Sequence, residues 1–509
     1  MNEALLNQNI GSADSPSARG GALEPGPIRN LVAALKQRQV CYCHWKSNIR
    51  LGDSLSGKED LDLLVLRSDA TQFFEALIDC GFKLARSRDG GGHPGVLHAF
   101  ALDPSSLQLV HVHAYFQIVT GDSLVKSYHL PLENFLLANL RELMDLPVPA
   151  AEAELVVFLL RIVLKHTSLV EFSMVNRHYS DIPRELAWLR DQADETAAKQ
   201  IWTECVPTAR EEEFETVLAA IANPAHKTAR IRIGVGLAWR LREWRRLGHI
   251  AEFASRLRRI GMLIASRLRR HKSVSLVSGG TLIAMIGPKA SGKSTLGAAL
   301  EDRLGKQLDV RRVHIGKPPA TLLSAPFRLL LPMLRRLLPG ERSGQYQKPE
   351  RRVELNFSYA YVVRMLLLAY DRRALLFKSR RWATAGAVVI TDRYPPSGIG
   401  AIDGRQFGEA AIAACGSRWK AALMRLEAKL YDNLPKPDLV IRLAAPIQTT
   451  LLRDASRCKL DGPDPDSVLR RRDLETMAEI ADIPVLVINT DVPLEQSIAE
   501  VLCAVWERL

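Results

Sequence analysis

The stretch MIGPKASGKSTL, residues 285–296, decides how the second half of this chain folds. It fits the frame G-x-x-x-x-G-K-[ST], with Gly287, Gly292, Lys293 and Ser294 at the fixed positions. An apolar run, TLIAMI, precedes it and a helical pattern follows, which is the context that turns such a frame into a phosphate site. The glycines allow the backbone to curl so that successive N–H groups point inward, and the helix opening near Ser294 adds its positive end. Within that geometry Lys293 reaches the β- and γ-phosphates and the Ser294 hydroxyl ligates Mg²⁺. The expected cofactors are therefore ATP and Mg²⁺.

Outward from this loop, five apolar runs alternate with longer helical stretches from about residue 276 to the end: TLIAMI, VRRVHI, GAVVIT, DLVIRL and VLVINT. The alternation predicts an α/β domain with a parallel sheet covered by helices on both faces. Residues 28–170 mix short strands such as DLDLLVL and LVHVHAYF with helices, an α+β pattern. Residues 171–275 read as a helical connector. Within it Leu237, Leu241, Trp244, Leu247, Ile250, Leu257, Ile260, Ile264 and Leu268 form an apolar stripe expected to pack on the neighbouring domains, with arginines outward. Gly234, Gly248 and Gly261 argue for breaks in it. Residues 1–27 are polar and rich in Gly, Ser, Ala and Pro, the composition of a disordered tail.

Length and composition bound the rest. At 509 residues the chain exceeds one ordinary core, and 47% hydrophobic with 25% charged residues is a globular balance. Seven scattered cysteines and no charged start or apolar leader predict a reducing, cytoplasmic setting. The apolar run ELVVFLLRIVLKH is interrupted by Arg161, so no membrane span is expected. Cys41, Cys43 and His44 lack a second pair at zinc spacing and read as a buried strand. The net charge of +13 is concentrated: residues 230–272 hold 12 Arg and 1 Lys against Glu243 and Glu252. Such a segment can grip a polyanion, an anionic membrane surface or acidic side chains, or can simply be a solvated helix face.

The C-terminal half resembles the thymidylate kinases. DRYPPSG, residues 392–398, closes the strand GAVVIT, and LLLAYDRR places Arg372 on a helix twenty positions before Asp392. PDLVIRLAAPIQTTLLRDASR and VLVINTDVPLEQSIAEVLCAVWERL look like the family's fourth strand with its arginine-bearing segment and its last strand and helix. The resemblance implies a P-loop fold with the ATP phosphates on Gly287–Thr295, including Lys289, Ala290, Ser291 and Thr295. It implies Arg372 at the acceptor nucleotide, with Asp392 and Arg393 near the transferred phosphoryl group and Asp392 in the Mg²⁺ shell. Arg453 and Arg457 would lie at a mobile lid over ATP, residues 458–472. A solvated helix face is the competing role for both arginines.

Two positions depart from that family. It usually keeps an acidic residue where this chain has Lys289, and a Glu where it has Ile286. An ammonium cannot accept hydrogen bonds from sugar hydroxyls; it favours a phosphate or carboxylate at the acceptor, unless it faces solvent. Three functions follow as expectations: phosphoryl transfer to a nucleoside monophosphate, nominally dTMP; the same transfer to another phosphorylated metabolite such as a sugar phosphate; or an ATP-switched binder of nucleic acid or an anionic surface.

In the first domain, HWKSNIRLGDSLSGKEDLDLLV (residues 44–65) sets Asp60 and Asp62 two apart on a strand, facing one way. Two such carboxylates can share divalent metal, and the segment resembles the nucleotidyltransferase fold. Lys46-Ser47 stands where that fold keeps Gly-Ser, and no third carboxylate follows: LQLVHVHAYF offers His111 and His113 on one face instead, as metal ligands or structural residues. The loop around His93 would lie beside this site.

Overall fold

The computed structural model describes residues 26–87, 92–165, 181–223, 226–269, 274–330, 357–396, 398–400, 403–456 and 483–509. Two sheets organise the chain. The first comprises β1 (Tyr42–His44), β2 (Leu61–Val65), β3 (Lys83–Ser87), β4 (Val96–Asp103) and β5 (Gln108–Tyr115). Two short hairpins follow, β6 (Ile118–Thr120) with β7 (Tyr128–Leu130), and β8 (Leu140–Leu143) with β9 (Leu146–Pro149). β10 (Val274–Leu276) completes the first sheet in the order β1-β2-β5-β4-β3-β10, mixed, with only β2 and β5 parallel. The register of that parallel pair sets Asp62 opposite His113.

The second sheet is entirely parallel: β11 (Thr281–Ile286), β12 (Val310–Val313), β13 (Val388–Thr391), β14 (Leu439–Ala444) and β15 (Val485–Asn489), in the order β12-β13-β11-β14-β15. All five expected strands form, within two residues at each end. β11 sits in the middle because nearly all of its residues are apolar and buried, as a strand covered on both faces requires. The chain reverses direction of travel across the sheet on either side of β11, so ligands collect beyond its carboxyl end.

Three features differ from expectation. β10 lies at the start of the second half, yet it pairs with β3 through Val274↔Ser87 and Leu276↔Ala85. One core therefore runs across both halves, joining Phe100 and Leu102 to Leu276, Ile283, Leu300 and Val501. In the connector, Gly234 and Gly261 sit inside the helices Lys227–Arg240 and His249–Arg269; the break falls at a 3₁₀ turn, Leu241–Trp244, and Gly248. The apolar stripe also divides. Leu237 and Leu241 are buried against the helix Ala151–Lys165, whereas Ile250, Leu257 and Ile264 are exposed.

Among the described arginines of residues 230–272, most turn inward. Arg230 is buried on the carbonyls of Ala220 and Asn223, Arg240 pairs with Glu213, and Arg256 reaches Asp122. Arg246 donates to the Lys126 carbonyl at 2.9 Å and Arg259 to that of Gly92 at 3.0 Å. Arg232, Arg242 and Arg258 remain exposed. Much of the local positive charge thus fastens the connector to its neighbours. Among the described residues no helix is long and apolar enough to cross a membrane.

Candidate active site

The loop between β11 and the helix Lys293–Gly305 is shaped by backbone conformations that few side chains permit. Gly287 has φ 143° and Gly292 φ 97°, and Ala290 is held at φ 67°. A Cβ on Gly287 would lie 2.7 Å from the Leu443 carbonyl oxygen, so β14 leaves room there for hydrogen alone. Lys293 folds over this loop, donating to the carbonyls of Gly287 and Pro288, the latter at 2.8 Å. The Ser294 side chain is exposed at the opening turn of the helix. The donor set suits a polyphosphate: an ammonium, a hydroxyl and a helix N-terminus meet on a loop too tight for side chains. Beside it Ala290, Gly292, Thr295, Arg453, Thr490 and Leu494 line a cavity of about 320 Å³. The C-terminal half carries a P-loop fold.

The comparisons with known proteins agree with the loop. No protein-family model matches the chain. Over 185 residues, 34% of this chain and 72% of the relative, it is 28% identical to YghS of Escherichia coli K12, described as an uncharacterized ATP-binding protein. YghR of the same strain, described likewise, is 27% identical over 179 residues, 34% of this chain and 68% of that one. Among solved structures, a deoxyadenosine kinase from M. mycoides with dCMP and dCDP products covers 44% of this chain and 97% of its own, at 16% identity and TM-score 0.26. A sugar kinase from Janibacter sp. HTCC2649 covers 44% and 93%, at 14% identity and TM-score 0.23. At TM-scores this low, the fold assignment rests on the strand order and loop geometry of the chain itself.

Lys289 does not face solvent. Its ammonium lies 2.7 Å from a carboxylate oxygen of Asp454, which is buried on the helix Ile447–Ala455. The preceding residue on that helix, Arg453, donates to the Thr490 carbonyl at 2.8 Å and borders the cavity. One helix thus presents an arginine to the cavity and takes up the charge of the loop lysine. Arg457 and the expected lid, 458–472, lie outside the described residues.

Across the same sheet edge stands a second group. The helix Tyr359–Thr384 buries Asp371 and Arg372 side by side. Asp371 accepts from the Thr321 hydroxyl at 2.7 Å, from Ser324 at 2.8 Å and from Arg328 at 2.6 Å, which pins the helix to the segment before it. Arg372, one residue on, faces elsewhere: it reaches the Tyr431 hydroxyl at 2.9 Å and shares Asp403 with Arg393. Asp403 is 6% exposed at its side chain, as is Arg372, while Arg393 is 30% exposed. Two guanidiniums thus converge on one buried carboxylate.

Asp392 follows β13 directly. It accepts from the Ile315 amide at 3.2 Å and lies 2.9 Å from His314 Nδ1. The Ile315 carbonyl in turn accepts from Arg372 at 3.4 Å, so a single backbone unit ties both groups together. Burial lifts the Asp392 carboxyl above its ordinary range, against the pull of His314 and Arg393. Close by, burial pushes the Glu427 carboxyl up to about 7, opposed by a hydrogen bond from the Gln406 amide and by Arg405 and Arg372. Asp403, His314, Tyr431 and Glu427 were not marked by sequence. The signal available was a demand for countercharge: two arginines on buried elements require a carboxylate between them.

In the first domain Asp60 and Asp62 part company. Asp60, half exposed, takes His111 Nδ1 at 2.7 Å. Asp62, 14% exposed, takes the Lys46 ammonium at 2.9 Å and His113 Nδ1 at 3.2 Å. Burial would raise the Asp62 carboxyl, but Lys46 and His113 outweigh it and hold it well below the usual carboxylate range. His98 stacks on His113 at 4.5 Å, and burial with His113 and His111 lowers it to about 4. Among the described residues no group of three His, Cys, Asp or Glu side chains is placed to hold a metal ion. The residues do not fit the divalent metal expected on Asp60 and Asp62: a lysine stands where the cation would. Burial, with the charges of Arg259, Lys126 and Arg246, lowers His93 to about 3.

Proposed function

We propose that the C-terminal half is an ATP- and Mg²⁺-dependent phosphotransferase of the P-loop kinase type, acting on a nucleoside monophosphate with dTMP as the nominal acceptor. The observation that carries this is the pairing of the phosphate loop with the Arg372–Asp403–Arg393 group at the same end of one parallel sheet. Gly287–Thr295 would hold the ATP phosphates, with Lys293 swinging from its own loop carbonyls to the β- and γ-oxygens. Ser294 and Asp392 would hold Mg²⁺, which shields phosphate charge when bound. Arg372 would seat the acceptor's phosphate and Arg393 would border the transferred group. An acceptor phosphate oxygen bonds to the γ-phosphorus as the bond to the bridging oxygen of ADP breaks. This chemistry asks mainly for positioning and charge neutralisation from the protein. The relatives described as ATP-binding support the donor.

The pairing of Lys289 with Asp454 weighs on the choice of acceptor. A lysine already matched by a buried carboxylate is not recruiting a second phosphate, so the main reason for a sugar phosphate falls away. The test is ADP formation by the purified protein with dTMP, other nucleoside monophosphates and sugar phosphates offered separately. Wild type would run beside Lys293→Ala and beside the charge exchange Lys289→Asp/Asp454→Lys. Turnover with dTMP that is lost in Lys293→Ala and kept in the exchange supports the proposal. Turnover with sugar phosphates alone would replace the acceptor, and none with any acceptor would leave nucleotide binding without transfer.

A further inference from the structure

The first domain gathers positive charge at a place where its fold was expected to gather carboxylates. Lys46 follows β1, Lys126 stands on the loop between β6 and β7, and Arg161 and Lys165 lie one turn apart on the helix Ala151–Lys165. All four side chains are half-buried, and the fields of Lys46, Arg161 and Lys165 converge on Lys126. Lys46 and Arg161 share one aromatic wall: their cationic groups lie 5.5 and 5.1 Å from the Trp45 ring centroid. Lys46 also accompanies Tyr115, whose hydroxyl lies 3.0 Å from its ammonium. The carboxylates facing the group are Asp62, bound to Lys46, and Glu185, whose carboxyl is raised by burial against Arg161. Among the described residues, four cations from three separate segments thus face these two carboxylates.

We propose that this cluster is a metal-independent binding site for a phosphate-bearing anion, with Lys46, Lys126 and Arg161 as its contacts. Like charges crowded in a half-buried setting repel, and a protein keeps them together where an anion completes the set. The strain is visible at Lys126: burial, then Lys46, Lys165 and Arg161, lower its ammonium to about 7. The residue also holds a left-handed backbone, φ 50°, fixed by hydrogen bonds from its amide to Asp122 and from Arg246 to its carbonyl. Such a conformation is costly for a long side chain and places functional groups where the surroundings over-determine it. Lysines and arginine offer phosphate only donors, which is the inventory a phosphate oxygen needs. Asp62 occupies one side of Lys46, and the Trp45 ring holds Lys46 and Arg161 at one wall where a single anion can reach both.

The test uses the full chain carrying Lys293→Ala, which silences the P-loop, in buffer with EDTA and without phosphate. Inorganic pyrophosphate and a sugar phosphate are titrated separately by calorimetry, which distinguishes a diphosphate from a monoester site. Saturable one-to-one binding is expected, with Lys126→Gln and Arg161→Gln each weakening it about tenfold or more, the loss of one charge-assisted contact. Lys126→Arg should restore most of it. Removing a cation from a crowded set should also keep or raise the thermal midpoint in anion-free buffer, so weakened binding would not reflect unfolding. Three results would overturn the proposal: no saturable binding, binding that requires Mg²⁺, or affinities that stay within about twofold in both Gln variants. A lowered midpoint with binding intact would make Lys126 a structural residue and overturn its role as a contact.

Discussion

Replacing Asp403 by Asn keeps the shape of the side chain and removes one charge from between two arginines. Arg372 feels this most, because its side chain and that of Asp403 are each 6% exposed. Withdrawing one partner of a buried ion pair costs roughly 3–5 kcal/mol, since the remaining charge is left in a poor solvent. Arg393, at 30% exposure, is partly solvated, and its share is below about 1 kcal/mol. Asn retains one acceptor oxygen, and Tyr431 still receives Arg372, so the expected loss of stability is roughly 2–4 kcal/mol. The same variant should respond more strongly to added phosphate than wild type, because an anion in the cleft replaces the missing carboxylate. Urea unfolding with and without millimolar phosphate measures both effects. A loss below about 0.5 kcal/mol would place Asp403 among ordinary surface residues and refute the argument. So would an equal response of both proteins to phosphate, because the arginines would then not face an anion site.

Two further outcomes follow from single positions. Gly287→Ala must move the Leu443 carbonyl or distort the loop, so stabilisation by ATP in a thermal shift assay should vanish while the first domain keeps its fold; undiminished ATP stabilisation would contradict the cradle described. Glu154, 3% exposed, has its carboxyl pushed up to about 7 by burial and by Glu185, against Asn48 and Arg141. Its neutral form is the one the fold prefers, so stability falls as pH rises from about 4.5 to about 7 and stays lower above, by roughly 3–4 kcal/mol. Glu154→Gln should therefore raise the thermal midpoint at about pH 8 and change it little at about pH 4.5; equal shifts at both would assign the effect to packing.

The P-loop and its sheet were legible because their signals are local. A strand, a glycine frame and a helix start adjoin in sequence, and each of the five strands carries its own apolar run. Arg372, Asp392 and Arg393 were singled out through the family resemblance, and folding brings Arg372 and Arg393 onto one carboxylate. Asp403 was not: it lies in a loop of Pro, Gly and polar residues, and only folding brings it between arginines from a helix and a strand end. Asp454 was hidden for the same reason, since nothing near Lys289 in sequence announces a partner 165 positions away. In the first domain the alternate aspartates suggested one strand face, but the strand begins at Leu61, so only Asp62 lies on it, and there it meets Lys46 from the end of the neighbouring strand, a contact that no local pattern announces. The connector misled differently. Helical periodicity identifies an apolar stripe without saying where a turn will redirect it, and the turn at Leu241–Trp244 leaves Ile250 and Leu257 in solvent.

β10 has the widest consequence for handling the molecule. Its three residues pair with β3 on one side, and the same strand is bonded into the second half, the Leu276 amide donating to the Gly386 carbonyl and the Asp309 amide to the Val274 carbonyl. A cut at the boundary the sequence suggests, after residue 275, would break β10, strip β3 of its partner and expose a row of unpaired amides and carbonyls, the kind of margin on which chains aggregate. It would also open the core shared by Phe100 and Ile283. The two halves are spliced rather than tethered, so they should melt together, and each is a poor candidate for life alone.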